Sequence, residues 1–409
     1  MQAFKNFKVE PLKSEEEFKE FYVERPEQTP SPIEEILERL KLSDNPEKYL
    51  FLGFRGCGKS TELYRLKIEL ENLKEFLPVM VSIYELDVND IDIRDFLVLL
   101  GIKLIQTAKE KGIRIDASVE EDFRDFLTNV SHVREEEIKT ASSIGGGVDL
   151  FGLIKAKLGL EATTRETIRK ELTLKITELI SRINNLIIEI EYESKKMIVI
   201  IADDLDKLTR FVQAEDFFYK NHRLLTQISA HAIYTFPISL GFDVRFPHVA
   251  NAFDDYFTIP QVPPFKKDGN IWNEGFKFYE NVVARRMDLN LIGEDALKKA
   301  IMSTGKLSEF ISIVRESCIY AHRRRDSKIR VEDVRKALDK LRTFYSRTLT
   351  EEHMEVLRSV HETKDARDRG VEDRIVRDLL FSLMLVEYKV DEELWYEVNP
   401  LLIPVVREE

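Results

Sequence analysis

Residues 53–61 form a complete phosphate-binding loop of the pattern G-x-x-x-x-G-K-[ST]. Glycines at these positions let the backbone wrap around an anion, so that several N–H groups and the start of the following helix point at phosphate oxygens. We predict that Lys59 reaches the β- and γ-phosphates and acts in catalysis, while Ser60 offers its hydroxyl to Mg²⁺. The residues expected to contact the nucleotide are Gly53, Arg55, Gly56, Cys57, Gly58, Lys59, Ser60 and Thr61.

An acidic pair supplies the second half of the predicted site. The apolar run 197–202 ends in Asp203 and Asp204, and acidic residues at the carboxyl end of a buried parallel strand face the crevice where α/β proteins bind ligands. We expect Asp203 to hold Mg²⁺ through water and Asp204 to polarise the attacking water as a catalytic carboxylate. Asp206 is predicted to start a helix rather than to serve as a third catalytic acid.

The elements that must position these residues alternate between strand and helix. The run 49–52 predicts a strand that enters the loop, and leucines at helical spacing predict a helix that leaves it over 60–73. Four further strands are predicted at 77–86, 197–202, 232–236 and 256–259. The sequence therefore predicts an α/β protein built on the parallel sheet of a P-loop NTPase.

A long insertion separates the loop from the acidic strand. Residues 112–196 are mostly helical by pattern, with a glycine-rich interruption at 144–152 and one long helix predicted over 165–192. Two interpretations stay open. The insertion is either a helical arm packed on the sheet or a projecting hairpin that senses a partner or touches a membrane.

Prolines at 260, 263 and 264 mark the end of the sheet region. Helices are predicted at 294–303, 308–322 and 331–341, followed by two short strands at 385–389 and 394–398, a pattern typical of a winged helix. The predicted domains are an N-terminal lead-in at 1–48, a P-loop ATPase domain at 49–265, a helical lid at 266–343 and a winged-helix-like domain at 344–409.

Bulk composition narrows the class of protein. The chain has 409 residues, 43% of them hydrophobic, which is enough for two or three domains with their own cores. The most apolar stretch, near 96–105, is too short to span a bilayer, so no membrane-spanning segment is predicted, and no membrane partner belongs to the main prediction. Two cysteines exclude a disulfide framework, and we expect a cytoplasmic location.

The order of motifs resembles that of the AAA+ superclass. The phosphate loop, the Asp203-Asp204 strand, a fourth strand ending in a polar residue, a three-helix lid and a winged-helix-like tail follow one another. Within AAA+, the chain is similar to STAND-type ATPases, whose KAP-type members have an acidic strand like residues 203–207, and to archaeal origin-recognition ATPases. The resemblance implies ATP as the nucleotide, slow hydrolysis, and a nucleotide-dependent change of conformation or assembly.

The same resemblance gives roles to residues outside the two motifs. Thr235, which closes the fourth strand, matches a catalytic sensor of the γ-phosphate. Arg245, between the fourth and fifth strands, matches an arginine finger that acts on a neighbouring subunit's nucleotide. The lid departs from the family pattern, because the run 305–308 lacks the expected arginine. Lys306 and Arg315 are the nearest substitutes, and we expect both to be solvated.

We therefore predict an ATP-binding, slowly hydrolysing switch or assembly factor that uses ATP, ADP and Mg²⁺ and contacts a partner protein or a second copy. A DNA-handling ATPase of the origin-recognition or transposition-helper type is the main alternative. Residues 341–409 hold 10 Lys and Arg against 16 Asp and Glu, which disfavours DNA. The lid stretch 322–330 is the most basic segment. A scaffold with little turnover and a small-molecule kinase are the remaining hypotheses.

A DNA-binding tail would need strong segregation of its charges. The arginines that could share one side are Arg367, Arg369, Arg374 and Arg377.

Overall fold

A central sheet of five parallel strands organises the protein, in a computed structural model that describes residues 2–86, 89–131, 152, 162–208, 210–367 and 372–407. Its strands are β1 (Lys48–Gly53), β2 (Phe76–Ser82), β3 (Met197–Asp203), β4 (His231–Pro237) and β5 (Asp255–Thr258). They lie side by side in the order β2-β3-β4-β1-β5. Helices cover both faces, which is why the strands read as continuous apolar runs. The predicted α/β class and parallel sheet are confirmed.

Side chains of β1 alternate between two hydrophobic cores. Leu50 and Leu52 join the core on one face, while Tyr49 and Phe51 join the core on the other. This alternation follows from the two-residue repeat of a strand. Because β1 and β3 both run parallel to β4, which lies between them, the loop after β1 and the acidic end of β3 open at the same edge of the sheet.

Helices surround this sheet on both sides. Before β1 come α1 (Gln2–Asn6), α2 (Glu15–Phe21) and α3 (Ile33–Leu42), and α4 (Lys59–Asn72) connects β1 to β2. Between β2 and β3 the described helices are α5 (Ile93–Glu110), α6 (Ala117–Ser131), α7 (Ala162–Leu174) and α8 (Ile176–Ser194). Short helices α9 (Phe211–Glu215), α10 (His222–Thr226), α11 (Ile238–Gly241) and α12 (Phe246–Ala250) flank β4.

The described part of the insertion packs into the main core, and it is not one continuous helix. The helix predicted over 165–192 is broken at Lys175, whose backbone leaves the helical region (φ −116°, ψ 20°). Apolar residues of α8, such as Ile183 and Ile187, pack with α5 in the same core as β3. The described part of the insertion is therefore a helical arm packed on the sheet. The predicted glycine-rich interruption lies outside the described residues, apart from Gly152.

The C-terminal third is helical, with one hairpin. Its helices are α13 (Asn273–Ala284), α14 (Glu294–Met302), α15 (Leu307–Arg323), α16 (Val331–Ser346), α17 (Glu351–Thr363), α18 (Asp373–Phe381) and α19 (Ile403–Arg407). Strands β6 (Leu385–Val390) and β7 (Glu393–Val398) pair in antiparallel fashion. The predicted lid and winged-helix-like elements are confirmed. In the described ranges, none of the helices combines the length and apolar character that crossing a bilayer requires.

Lid and tail share one hydrophobic core. Phe310 and Val334 from the lid, Leu357 and Trp395 from the tail, and Phe7 after α1 belong to the same buried cluster. Helix α16 also continues across residue 343, where the predicted lid ends. Through Phe7, the N-terminal segment is therefore part of the hydrophobic core that lid and tail share.

Candidate nucleotide site

The loop after β1 has the backbone shape that cradles an anion. Gly56 (φ +87°) and Gly58 (φ +105°) occupy left-handed conformations that side chains disfavour. Gly56 is also crowded, because a methyl group added there would overlap the side chain of Ser308 at the start of α15. The Ser308 amide donates to the Gly56 carbonyl at 3.1 Å. Glycine at 56 thus serves both the turn and the contact with the lid.

Lys59 is buried at the start of α4. Its Nζ donates to the carbonyls of Gly53 and Phe54 at 2.7 and 2.8 Å. The same Nζ lies 3.0 Å from Oδ2 of Asp206, and only 4% and 1% of the two side chains is exposed. The ammonium group is thereby held directly beneath the loop that would bind phosphate.

The acidic pair closes the carboxyl end of β3, and both residues are buried. Burial and the neighbouring Asp204 raise the pKa of Asp203 to about 6, while Lys207 and the Ser60 hydroxyl act in the opposite direction. Asp204 has a left-handed backbone (φ +71°). Its carboxylate accepts hydrogen bonds from the Ser82 hydroxyl and the Lys207 ammonium.

Asp206 is a component of the site that the sequence did not predict. It lies in a short 3₁₀ turn, Leu205–Lys207, and not at the start of an α-helix. Its carboxylate is paired with Lys59, and its carbonyl accepts from Arg55 Nε at 3.1 Å. The signal in the sequence was its spacing three residues after Asp203, which alone does not reveal a partner 147 residues away.

Thr235 lies in β4 beside the acidic turn and is fully buried. Its hydroxyl donates to the Ala202 carbonyl at 3.2 Å and accepts from the Leu205 amide at 2.9 Å. The observed role of Thr235 is thus to fix the turn that carries Asp203 and Asp204. Its sensing of a γ-phosphate stays a prediction.

Arg245 follows α11 on the sheet domain and is half exposed. Its guanidinium donates to Asp243 at 2.7 and 2.8 Å, pairs with Glu215, and stacks over the Tyr219 ring at 4.5 Å from the centroid. The structure does not bring Arg245 to the phosphate loop of its own chain. Its proposed action on a neighbouring subunit stays a prediction.

A cavity of about 310 Å³ opens above the loop. Four cationic side chains line it, which suits a polyanionic ligand. They are Arg55, Lys59, Lys207 and Lys306. Other parts of the wall come from Val9 and Pro11 of the N-terminal segment and from Leu307 and Ile311 of the lid. Three separate regions of the chain therefore meet at one cavity.

The N-terminal segment is fastened to the loop by polar contacts. Arg25 donates to the carbonyls of Cys57 and Pro260. The buried Glu62, one turn into α4, accepts from the hydroxyls of Tyr22 and Ser31 at 2.9 and 2.6 Å. Closer to residues 9–11, the Leu12 amide donates to the Thr61 hydroxyl at 3.3 Å, which places this part of the segment against the start of α4.

Lys306 is buried, although the sequence suggested a solvated role. Its Nζ lies 3.2 Å from Glu309 and 3.1 Å from the Tyr345 hydroxyl. Glu309 also accepts from the Asn399 amide at 3.1 Å. The lysine therefore connects the cavity to a buried polar network between lid and tail. Arg315 is half-buried and stacks over the Phe4 ring.

The tail docks on the sheet domain beside the phosphate loop. Arg55 stacks over the ring of Phe381 at 4.6 Å from the centroid. Arg377 of α18 pairs with the buried Asp243, whose pKa is lowered to about 2, chiefly by Arg245. Two arginines from different parts of the chain thus share one carboxylate.

The residues present fit a nucleoside triphosphate with Mg²⁺. The cavity is lined both by backbone donors with cations and by apolar residues, which suit the phosphates and the base of a nucleotide. The Ser60 hydroxyl and the Asp203 carboxylate are neighbours and provide the oxygen ligands that Mg²⁺ prefers. These two residues would hold the metal ion.

No protein-family model matches this chain, and no curated protein is similar to it in sequence. Solved structures with a similar overall arrangement exist. The Aeropyrum pernix ORC2 protein in ADPNP–ADP complexes is 13% identical, with 97% of this chain and 98% of that chain covered, at a TM-score of 0.44.

Two complexes with DNA show the same level of similarity. The Aeropyrum pernix ORC1 protein in complex with DNA is 15% identical over 92% of each chain, at a TM-score of 0.40. The Drosophila ORC bound to DNA is 12% identical, with 99% of this chain and 91% of that chain covered, at 0.41. The assignment of this chain to origin-recognition-like or to KAP-type ATPases stays a prediction.

Proposed function

We propose that this chain is a P-loop ATPase that binds ATP with Mg²⁺, hydrolyses it slowly and changes conformation or assembly with its nucleotide state. One observation carries the proposal. The loop residues Lys59 and Ser60 lie against the acidic end of β3 in a cavity whose remaining walls come from the N-terminal segment and the lid.

Each residue has a role that its position supports. Lys59 neutralises phosphate charge, and Ser60 with Asp203 holds the metal ion. Mg²⁺, when bound, would polarise the phosphates and neutralise the charge that develops on them. Asp204 orients the attacking water through a carboxylate that Ser82 and Lys207 hold in place. Thr235 keeps the acidic turn in register.

The switch is supported by where the cavity walls originate. A nucleotide that contacts Pro11, Lys59 and Leu307 touches three regions at once. A ligand can shift a conformational equilibrium only through contacts that differ between the two conformations. Loss of the γ-phosphate changes those contacts, so lid and tail positions are expected to follow the nucleotide.

The test combines binding, turnover and mass. Lys59→Ala is expected to lose nucleotide binding or phosphate release, while Lys67→Ala, on the same helix but paired with Glu71, keeps both. Light scattering of wild type and Asp204→Asn without nucleotide, with ADP and with ATP–Mg²⁺ reports assembly. Hydrolysis by Lys59→Ala at the wild-type rate would contradict the site assignment.

The DNA alternative is less well supported by the tail. Arg367 stacks over Phe242 and Arg377 pairs with Asp243, so both face the sheet domain. The turn between β6 and β7 is acidic, and a phosphate backbone would repel it. Salt-dependent duplex binding that weakens when residues 323–325 are neutralised would favour this alternative instead.

A further inference from the structure

A large groove runs along β5, the outermost strand of the sheet. Its volume is about 1230 Å³, and residues 255–261 line it consecutively. The N-terminal segment lines it through Glu27 and Pro30, and the turn between β6 and β7 lines it through Asp391 and Glu392. These two segments are joined, because the Asp391 amide donates to the Gln28 carbonyl at 3.0 Å. We call it the β5 groove. Its size exceeds that of an ordinary small-molecule pocket, so an elongated ligand fits it better.

Strand β5 presents an open edge to this groove. The Ile259 amide donates inward to the Leu52 carbonyl at 3.0 Å. Because alternate residues of a strand point their N–H and C=O groups to opposite sides, those of Thr258 and Tyr256 point outward. The Tyr256 amide donates to Asp255 Oδ1 at 2.8 Å. In the described parts of the chain, no strand pairs with β5 itself on that side, and the open edge ends before Gln261, which forms an isolated bridge with Tyr388 of β6. Such an edge is a template for an added strand.

An unpartnered side-chain amide lies three residues beyond the end of β5. Gln261 lines the groove and is 2% exposed. Its Nε2 has no hydrogen-bond partner among the described residues. A buried donor of this kind costs stability unless something accepts from it. A peptide carbonyl placed in the groove would satisfy it.

The charge of the groove identifies the class of ligand. Seven carboxylates line it against a single lysine, Lys389. Those of Glu34, Glu35 and Asp255 are offset by Arg65 and Arg39. Those of Glu27, Asp391 and Glu392 have no ion-pair partner in the described chain. Uncompensated negative charge therefore collects at the end nearest the β6–β7 turn.

The geometry points to a docking site for a basic, extended segment of another protein, which adds as a strand to the outer edge of β5. The partner backbone would pair with Thr258 and with the Tyr256 carbonyl and offer a carbonyl to Gln261 Nε2. Its lysines or arginines would meet Glu27, Asp391 and Glu392, and its apolar side chains would lie beside Tyr256, which is 49% exposed. This inference extends the proposed switch but does not depend on nucleotide binding.

The probe is a fluorescent octapeptide of alternating lysine and valine, measured by anisotropy on the full chain without nucleotide. It is expected to bind, with weaker binding at higher salt, while a glutamate counterpart does not bind. Two further probes carry N-methyl groups on one or the other alternate set of amides. Only one set should lose binding, by about tenfold or more, because only one side of an added strand pairs with β5.

Variants localise the binding. Gln261→Leu and the pair Glu27→Gln with Glu392→Gln should each weaken it by about tenfold. The matched pair Glu166→Gln with Glu193→Gln, exposed on α7 and α8, should leave it unchanged. If Gln261→Leu fails to fold, the methylated probes still decide the question on the wild-type chain.

Two outcomes would overturn the inference. Equal binding of both methylated probes, or equal loss in the matched control pair, would show unspecific attraction to an acidic surface. A wild-type dimer that Glu27→Gln with Glu392→Gln dissociates would make a second copy the occupant. Repeating the titration with Lys59→Ala separates this inference from the proposed function, since peptide binding should survive the loss of nucleotide binding.

Discussion

Lys59 of the phosphate loop and Asp206 of the turn after β3 form a buried ion pair, with Nζ 3.0 Å from Oδ2. A phosphate group at the loop would compete with Asp206 for the same ammonium. The pair therefore links nucleotide binding to the stability of the turn that carries the candidate catalytic carboxylates.

Asp206→Asn should separate these two effects. Removing one partner of a buried ion pair leaves an uncompensated charge, so we expect the free energy of unfolding without nucleotide to fall by about 3 kcal/mol. ADP should bind about tenfold more tightly, because the carboxylate no longer competes or repels. Thermal unfolding and ADP titration measure both.

The control is a lysine–aspartate pair in solvent. Asp216→Asn breaks the exposed pair with Lys220 and should change the free energy of unfolding by less than about 1 kcal/mol. If Asp206→Asn behaves like this control, the buried pair has no role in either property.

Gly56→Ala should lift the lid from the loop. The new methyl group meets Ser308, and the left-handed backbone is strained as well. Gly269→Ala is matched, because its φ is +84° but its surroundings are open. We expect about 1–3 kcal/mol of destabilisation in the control and a larger loss, with weaker nucleotide binding, at Gly56. If Gly56→Ala and Gly269→Ala changed the free energy of unfolding and the nucleotide affinity by the same amounts, the lid contact would be refuted.

Arg377→Met should loosen the tail. The substitution removes a partner of the buried Asp243 while keeping an apolar side chain against Phe211. Small-angle scattering should show a larger radius of gyration, and protease should cut near residues 346–350 sooner. Arg374→Met, on the same helix but exposed, is the control. Identical scattering from both variants would show that the pairing of Arg377 with Asp243 does not hold the tail in place.

His231 should make the protein less stable in acid. Burial, chiefly, lowers its pKa to about 4, and its Nδ1 accepts from the Glu47 amide at 3.1 Å. The unfolded chain binds a proton near pH 6.5 while the folded chain resists it until about pH 4. Stability is therefore lost as pH falls across that window, by about 3 kcal/mol from this group.

Chemical unfolding at pH 7, 5.5 and 4 measures that loss. His231→Asn keeps an acceptor for the Glu47 amide without a titrating group, so its stability should fall less over the same window. If the free energy of unfolding of His231→Asn falls with pH in parallel with that of the wild type, other residues cause the acid sensitivity.

The sequence by itself determined the parts of the site that are contiguous. The run 53–61 and the strand ending at Asp203 carry their signals within a few residues, because loop shape and strand burial are local consequences of glycine spacing and apolar runs. The same local logic predicted the sheet, the lid helices and the final hairpin.

Only the tertiary structure decided which side chains meet. The pairing of Asp206 with Lys59, the engagement of the Thr235 hydroxyl by the acidic turn, and the burial of Lys306 all join residues 30 to 147 positions apart. The open edge of β5 is likewise set by strand order. Such contacts depend on how elements pack, and the energies that choose among packings are spread over the whole core.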